Sequence, residues 1–115
     1  MALNQYRSRG TKWFLPVAMG ASAGTHIQFG SLNGVLLTDA DGDDNAWVDF
    51  AGDHIAYDLS VTGADDMGNA AVAVGDVLYN DGGTINVDAA NGVEFGIALE
   101  AVTSGATATI GVLVI

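Results

Sequence analysis

The residues of this chain that could do chemistry are an acidic run and two histidines. Asp39–Asn45 (DADGDDN) places oxygen ligands at the close spacing that Ca²⁺ sites use. An EF-hand loop would need glycine at its sixth position and glutamate at its twelfth, and this run has Asp44 and Phe50 there. The run is therefore not an EF-hand. A solvated loop is the simpler interpretation, and a looser calcium site among Asp41, Asp43 and Asp44 is the alternative.

His26 and His54 are the only imidazoles, and both fall on predicted strands. Two histidines without a third placed ligand make a weak metal site, so we expect a surface or interface role for them. The chain has no cysteine, no lysine after Lys12, no Gly-x-Ser-x-Gly elbow and no phosphate-binding loop. The sequence therefore predicts that the protein is not an enzyme and needs no cofactor or metal.

Charge is divided sharply along the chain. The three basic residues are Arg7, Arg9 and Lys12, and all fourteen acidic residues lie between Asp39 and Glu100. An acidic body repels nucleic acid and anionic membranes, so neither is expected as a partner. Most of the acids are aspartates beside Gly or Asn, where a carboxylate can accept hydrogen bonds from its own turn. We expect these aspartates to lie in solvated turns.

The length of 115 residues suits one domain. We divide the chain into an extended basic arm, residues 1–12, and an acidic domain, residues 13–115. The apolar run Trp13–Ala23 complicates this division, because a basic leader followed by such a run also fits the outline of a secretory signal peptide. Pro16 and Gly20 interrupt the run, and it is shorter than the ~20 apolar residues of a membrane span.

The domain is predicted to consist of short strands. The β-prone runs are separated by turns rich in Gly, Asn and Asp, and the chain has sixteen glycines and one proline. The predicted strands are Thr25–Phe29, Gly34–Asp39, Ala46–Phe50, His54–Val61, Val74–Tyr79, Thr84–Val87, Val93–Leu99 and Ala106–Ile115. Ala70–Val74 fits either a strand or one helical turn. The sequence predicts an all-β fold, a small antiparallel barrel or sandwich of about seven to nine strands.

The order of several short motifs resembles the capsid cement, or head decoration, proteins of tailed phages. In the second half the motifs are Gly75-Asp76-x-Leu78-Tyr79-Asn80, Ile85-x-Val87 and Phe95–Thr107 (FGIALEAVTSGAT). In the first half they are Pro16, Gly24, Phe29-Gly30-Ser31-Leu32 and Gly34–Ala40. The resemblance covers roughly residues 10 to 115, and it lies in the order of turn glycines and strand aliphatics.

The resemblance implies a structural virion protein on the outer surface of the phage capsid. Such a protein binds the assembled head and cements neighbouring major capsid subunits. We expect the arm and the aromatic residues after it to make the contact, and these residues are Tyr6, Arg7, Arg9, Lys12, Trp13 and Phe14. The alternative is a secreted calcium-dependent adhesive or carbohydrate-binding β module that loses residues 1–23 as a signal peptide.

The resemblance also implies clustering of copies on the capsid as a homotrimer, with a dimer as the alternative. In the last predicted strand, Ile110, Val112 and Val114 point to one face. Leu113 and Ile115 lie on the other face without obvious polar cover, and an open strand edge is a hazard unless it is paired. We therefore expect self-association through Leu113 and Ile115.

Overall fold

The computed structural model describes residues 12–50 and 56–115. These residues form eleven strands and no helix, which confirms the all-β prediction. The strands are β1 (Lys12–Pro16), β2 (His26–Phe29), β3 (Leu32–Leu36), β4 (Asn45–Phe50), β5 (Ala56–Thr62), β6 (Ala64–Asp65), β7 (Gly68–Asn69), β8 (Val77–Asp81), β9 (Thr84–Asn86), β10 (Val93–Ala98) and β11 (Thr107–Val114). Within the described residues, no helix is long and apolar enough to cross a membrane.

The first four strands form an antiparallel sheet in the order β1-β4-β3-β2. Strands β2 and β3 make a tight hairpin in which Phe29 lies opposite Leu32. The two-residue turn between them begins with Gly30 at a φ of +61°, a left-handed conformation that glycine adopts without steric cost. This sheet has two edges, and β1 and β2 lie on them.

Five later strands close into a barrel in the order β10-β11-β5-β9-β8. Four of the five pairings are antiparallel, but β5 and β9 run parallel at Val61 and Ile85. The predicted antiparallel barrel is therefore found with one parallel pair. The barrel core consists of alternate residues from every strand, chiefly Leu59, Val61, Leu78, Ile85, Phe95, Ala98, Ile110, Val112 and Val114.

In the last strand, β11, the prediction from alternation is confirmed for the buried face but not for the other face. Ile110, Val112 and Val114 are buried in the core. Leu113 and Ile115 are half-buried, and β11 lies between β10 and β5 inside the closed barrel. The expected open edge does not exist, because both sides of β11 are already paired.

Polar side chains from the hairpin join the sheet to the barrel. The Asn33 Nδ2 group donates hydrogen bonds to the backbone oxygens of Glu94, Phe95 and Ile115, at 3.0, 3.3 and 2.6 Å. Its Oδ1 atom accepts a 2.7 Å bond from Gln28. Asn33 is 4% exposed, so these bonds form away from water and fix the hairpin on β10.

The sequence placed most strands correctly and missed three. Strand β1 was not predicted, because Pro16 argues against a strand in general although it is tolerated on an edge. The hairpin of β6 and β7 lies in Thr62–Asn69, which has the composition of a loop. In Ala70–Val74 the pairing found is a single bridge from Val72 to Val102.

Candidate protein-binding surface

Only some of the predicted contact residues lie in the part of the chain that the structure describes. Tyr6, Arg7 and Arg9 lie outside the described residues, as does His54. Lys12, assigned to the arm, is the first residue of β1, and Trp13 and Phe14 follow it in the same strand. The structure therefore positions the second half of the predicted contact set on a regular edge strand.

An exposed aromatic pair links this strand to its neighbour β4. Phe14 of β1 lies directly opposite Trp47 of β4, and their ring centroids are 5.5 Å apart with a tilt of 52°. Directly opposed residues share a face of the sheet, so the rings contact each other across the strands. They are 48% and 42% exposed, which is unusual for two large aromatic side chains in contact.

A third apolar side chain extends this surface. The backbone N–H of Leu37 donates a 2.8 Å bond to the oxygen of Trp47, so the two residues are opposed across β3 and β4. Leu37 is 37% exposed. We call Phe14, Leu37 and Trp47 the aromatic patch. It extends from β1 across β4 to the residue that follows β3, and it ends at the edge of the sheet.

Trp13 points to the opposite face of the sheet from Phe14, as successive residues in a strand do. It lies opposite Val48, which is fully buried, and is itself half-buried. Trp13 and Phe14 were expected to belong to one contact surface, but their side chains lie on opposite faces of the sheet. Trp13 shares its face of the sheet with the buried Val48, and Phe14 shares the opposite face with Trp47 and Asp49.

A buried carboxylate ties the start of β1 to the barrel. Asp49 lies opposite Lys12, and the Lys12 Nζ is 3.6 Å from its Oδ1 atom. The Asp49 side chain is 7% exposed against 60% for Lys12. The other carboxylate oxygen, Oδ2, accepts a 2.8 Å hydrogen bond from the Tyr57 hydroxyl of β5. Burial, together with the hydrogen bond to Asp49 and its negative charge, raises the pKa of Tyr57 to about 12.

Asp49 corrects the expectation that the aspartates lie in solvated turns. It is the next-to-last residue of β4 and does not lie in a turn, and its Oδ1 atom is buried without a hydrogen-bond donor among the described residues. Asp88 is also buried but fits the expectation in part, because it accepts bonds from the backbone N–H groups of Ala90 and Asn91. The side-chain amide of Asn91 holds the pKa of Asp88 below its usual range.

The acidic run lies between the ends of β3 and β4, next to the aromatic patch. The Oδ1 atom of Asp41 accepts bonds from the N–H groups of Asp43 and Asn45, at 2.9 and 3.0 Å, which is the predicted turn chemistry. Asp39 accepts a 2.8 Å bond from the N–H of Ala23. Across residues 12–50 and 56–115, no group of three or more potential ligands could hold a metal ion.

His26 has a packing role in the structure. Its ring meets Phe95 edge-on, at a centroid distance of 5.5 Å, where β2 contacts the barrel. Burial lowers the pKa of His26, and hydrogen bonding to the Asn80 side chain and to the backbone of Gly83 opposes that effect. It lies between the two sheets and away from the aromatic patch.

The sequence predicted Phe14 as a contact residue but did not predict the side chains that surround it. Neither Trp47 nor Leu37 is among the contact residues predicted from the sequence. A signal for Trp47 was present, because the alternation of Ala46, Val48 and Phe50 places Trp47 on the other face of β4.

Comparison with known proteins adds no family. No family model matches the chain, and neither a curated protein nor a solved structure matches it. What the surface does is therefore inferred from its residues and from the resemblance to decoration proteins.

Proposed function

We propose that the protein is a structural, non-enzymatic virion protein that binds the outer face of an assembled phage head. There it holds neighbouring major capsid subunits together. The order of sequence motifs supports this proposal, and the all-β fold is compatible with it. The observation that carries it is the exposed pair of Phe14 and Trp47, in which Phe14 lies on the edge strand that directly follows the basic arm and Trp47 lies on the neighbouring strand β4.

The physical mechanism is linkage between binding and assembly. A ligand that binds the assembled lattice and not the separate subunits stabilises the lattice by mass action. Each contact is small, but the same contact is repeated on every lattice site, so the stabilisation adds up over the shell. A small apolar patch that follows a basic segment in the sequence suits this role, since it gives many weak but specific contacts.

We further propose that the copies form trimers on the capsid, with dimers as the alternative. In free solution we expect a monomer or a weak monomer–trimer equilibrium. The formal net charge of −11 opposes association in solution. Contacts to the capsid would offset this repulsion on the lattice. Leu113 and Ile115 do not provide an open strand edge for such contacts, because β11 is paired on both sides.

The test is decoration of purified, expanded heads of the parent phage. Wild-type protein is mixed with undecorated heads, and the copies bound per head are measured after sedimentation. The variant Phe14→Thr/Trp47→Thr removes both rings while keeping strand-forming residues, and we expect at least a tenfold loss of occupancy. Met67→Thr is the matched control, since Met67 is 91% exposed at the tip of the β6–β7 hairpin and is not part of the four-stranded sheet.

Two results would contradict the proposal. Wild-type protein that does not bind heads at any concentration would exclude the decoration function. Wild-type occupancy by the double variant would show that the aromatic patch is not the contact. Subunit positions in a reconstruction of decorated heads decide between trimers, dimers and isolated copies.

A further inference from the structure

We propose that the outer edge of β1 binds an extended segment of the capsid partner as an added strand, with an apolar side chain against the aromatic patch and a Lys or Arg beside the acidic run. This inference rests on the proposed function and deepens it, because it gives the chemistry of the partner segment. Three features of the described residues support it: the backbone of β1, the patch and the local charge.

The backbone of β1 offers hydrogen-bonding groups on its outer side. The sheet order places no described strand beyond β1. In antiparallel pairs, alternate residues exchange hydrogen bonds with the partner strand, and the N–H of Val17 donates to the oxygen of Asp44. By that alternation Trp13 and Leu15 bond to β4, while the N–H and C=O groups of Lys12 and Phe14 point away from it.

Pro16 limits the length of this edge. It stands at the next outward-facing position, where it has no N–H to donate. An added strand would therefore pair over Lys12 to Phe14 and lose support at Pro16. A short register of this kind gives a specific position for the partner residue opposite Phe14.

The aromatic patch then receives that partner residue. A side chain opposite Phe14 on an added strand lies on the same face as Phe14 and Trp47. Both rings are about half exposed, so an apolar side chain placed beside them would remove further apolar area from water. Backbone bonds supply affinity in this mode of recognition, and the side-chain contact supplies specificity.

Local charge selects a basic segment. Pro16 lies opposite Asn45, so the acidic run is at the Pro16 end of β1. Asp39, Asp41 and Asp43 are exposed there. Lys12 is the sole Lys or Arg between residues 12 and 115, and it lies at the other end beside Asp49. A partner residue that follows the apolar anchor toward the Pro16 end is therefore expected to be Lys or Arg.

The test uses synthetic peptides and the full-length protein labelled with ¹⁵N. The probe is the blocked peptide Thr-Lys-Val-Ile-Val-Lys-Thr, and the matched control has Glu at both Lys positions. We expect the Lys peptide to shift the amide signals of Lys12 and Phe14 and to bind more tightly than the Glu peptide. N-methylation of one alternate set of peptide N–H groups should abolish the shifts, and methylation of the other set should not.

Variants of the protein make the test specific. We expect Trp47→Thr to weaken binding of the Lys peptide by at least tenfold. Asp41→Asn and Asp43→Asn should each weaken it by about fivefold at most, since exposed ion pairs contribute little. Met67→Thr should change nothing. Shifts confined to residues outside β1 and the patch, or equal binding of the Lys and Glu peptides, would overturn the inference.

A peptide of this chain's own residues 1–11 (MALNQYRSRGT) tests whether the edge serves a second copy instead. Tighter binding of that peptide, with dimers or trimers of free protein, would overturn the inference in favour of self-association. The two proposals fail separately. Heads decorated normally without any peptide effect at Lys12 and Phe14 would remove the added strand and leave the decoration function. The reverse result would remove the decoration function only.

Discussion

The hydroxyl of Tyr57 donates a 2.8 Å hydrogen bond to Oδ2 of the buried Asp49 and so joins β5 of the barrel to β4 of the four-stranded sheet. Asp49 is also the partner of Lys12, the first residue of the edge strand β1. One carboxylate thus connects the barrel with the strand that carries the proposed contact surface. Changes at this pair are expected to affect both stability and the seating of β1.

Replacing Tyr57 with Phe should lower the free energy of unfolding by about 1–2 kcal/mol, because Asp49 loses its hydrogen-bond donor while it stays buried. The measurement is the urea midpoint at pH 7. The double variant Tyr57→Phe/Asp49→Leu removes both partners and should recover much of the loss. A midpoint for Tyr57→Phe equal to that of the wild type would show that water replaces the bond at no cost.

Tyr57 should also be visible in alkaline titration. Its pKa is raised from 10.0 to about 12, so the folded protein keeps the proton while the unfolded chain loses it. Stability from this group is therefore complete below pH 10 and is lost as the pH rises through about 12. Phenolate absorbance should show one tyrosine titrating late, and Tyr57→Phe should remove that step. A step that survives the substitution belongs to another tyrosine.

Acid should act through His26. Its pKa is lowered from 6.5, mainly by burial, so below that pH the unfolded chain binds a proton more readily than the folded protein. Stability from this group is therefore present above pH 6.5 and falls as the pH drops toward the lowered pKa. His26→Gln should flatten this part of the stability curve, measured by urea unfolding between pH 7.5 and 5. An unchanged pH dependence in that variant would assign it to the carboxylates.

The sequence predicted what depends on short-range pattern. Alternation located the buried face of β11, and the aspartates beside Gly and Asn predicted turns stabilised by their own carboxylates, as found at Asp41. It did not predict what depends on distant contacts. The parallel pairing of Val61 with Ile85 closes the barrel and leaves no local signal. Aspartate is usually a surface residue. Asp49 is buried where it accepts a hydrogen bond from Tyr57 and pairs with Lys12, and both partners depend on the tertiary fold.

Only one of the two rings of the aromatic patch could be predicted, because the other depends on a distant contact. Phe14 was selected because it follows the basic arm, which is a property of the sequence. Its partner Trp47 is more than thirty residues away along the chain, and the pairing depends on the register of β1 with β4. Strand β1 is hard to predict from the sequence because it contains Pro16, and proline is tolerated in a strand mainly at the edge of a sheet.

Asn33 gives the strongest stability prediction, because its side chain joins the sheet to the barrel. Asn33→Asp keeps the shape but places a carboxylate against the backbone oxygens of Glu94, Phe95 and Ile115. We expect Asn33→Ala to cost about 2–3 kcal/mol and Asn33→Asp more at pH 7, since buried charge without a donor is unfavourable. In acid the introduced carboxylate takes up a proton and regains one hydrogen-bond donor. The difference in unfolding free energy between Asn33→Asp and Asn33→Ala should therefore become smaller toward pH 4. Urea midpoints at both pH values measure this, and an Asn33→Asp variant as stable as the wild type at pH 7 would mean that the hairpin does not depend on these bonds.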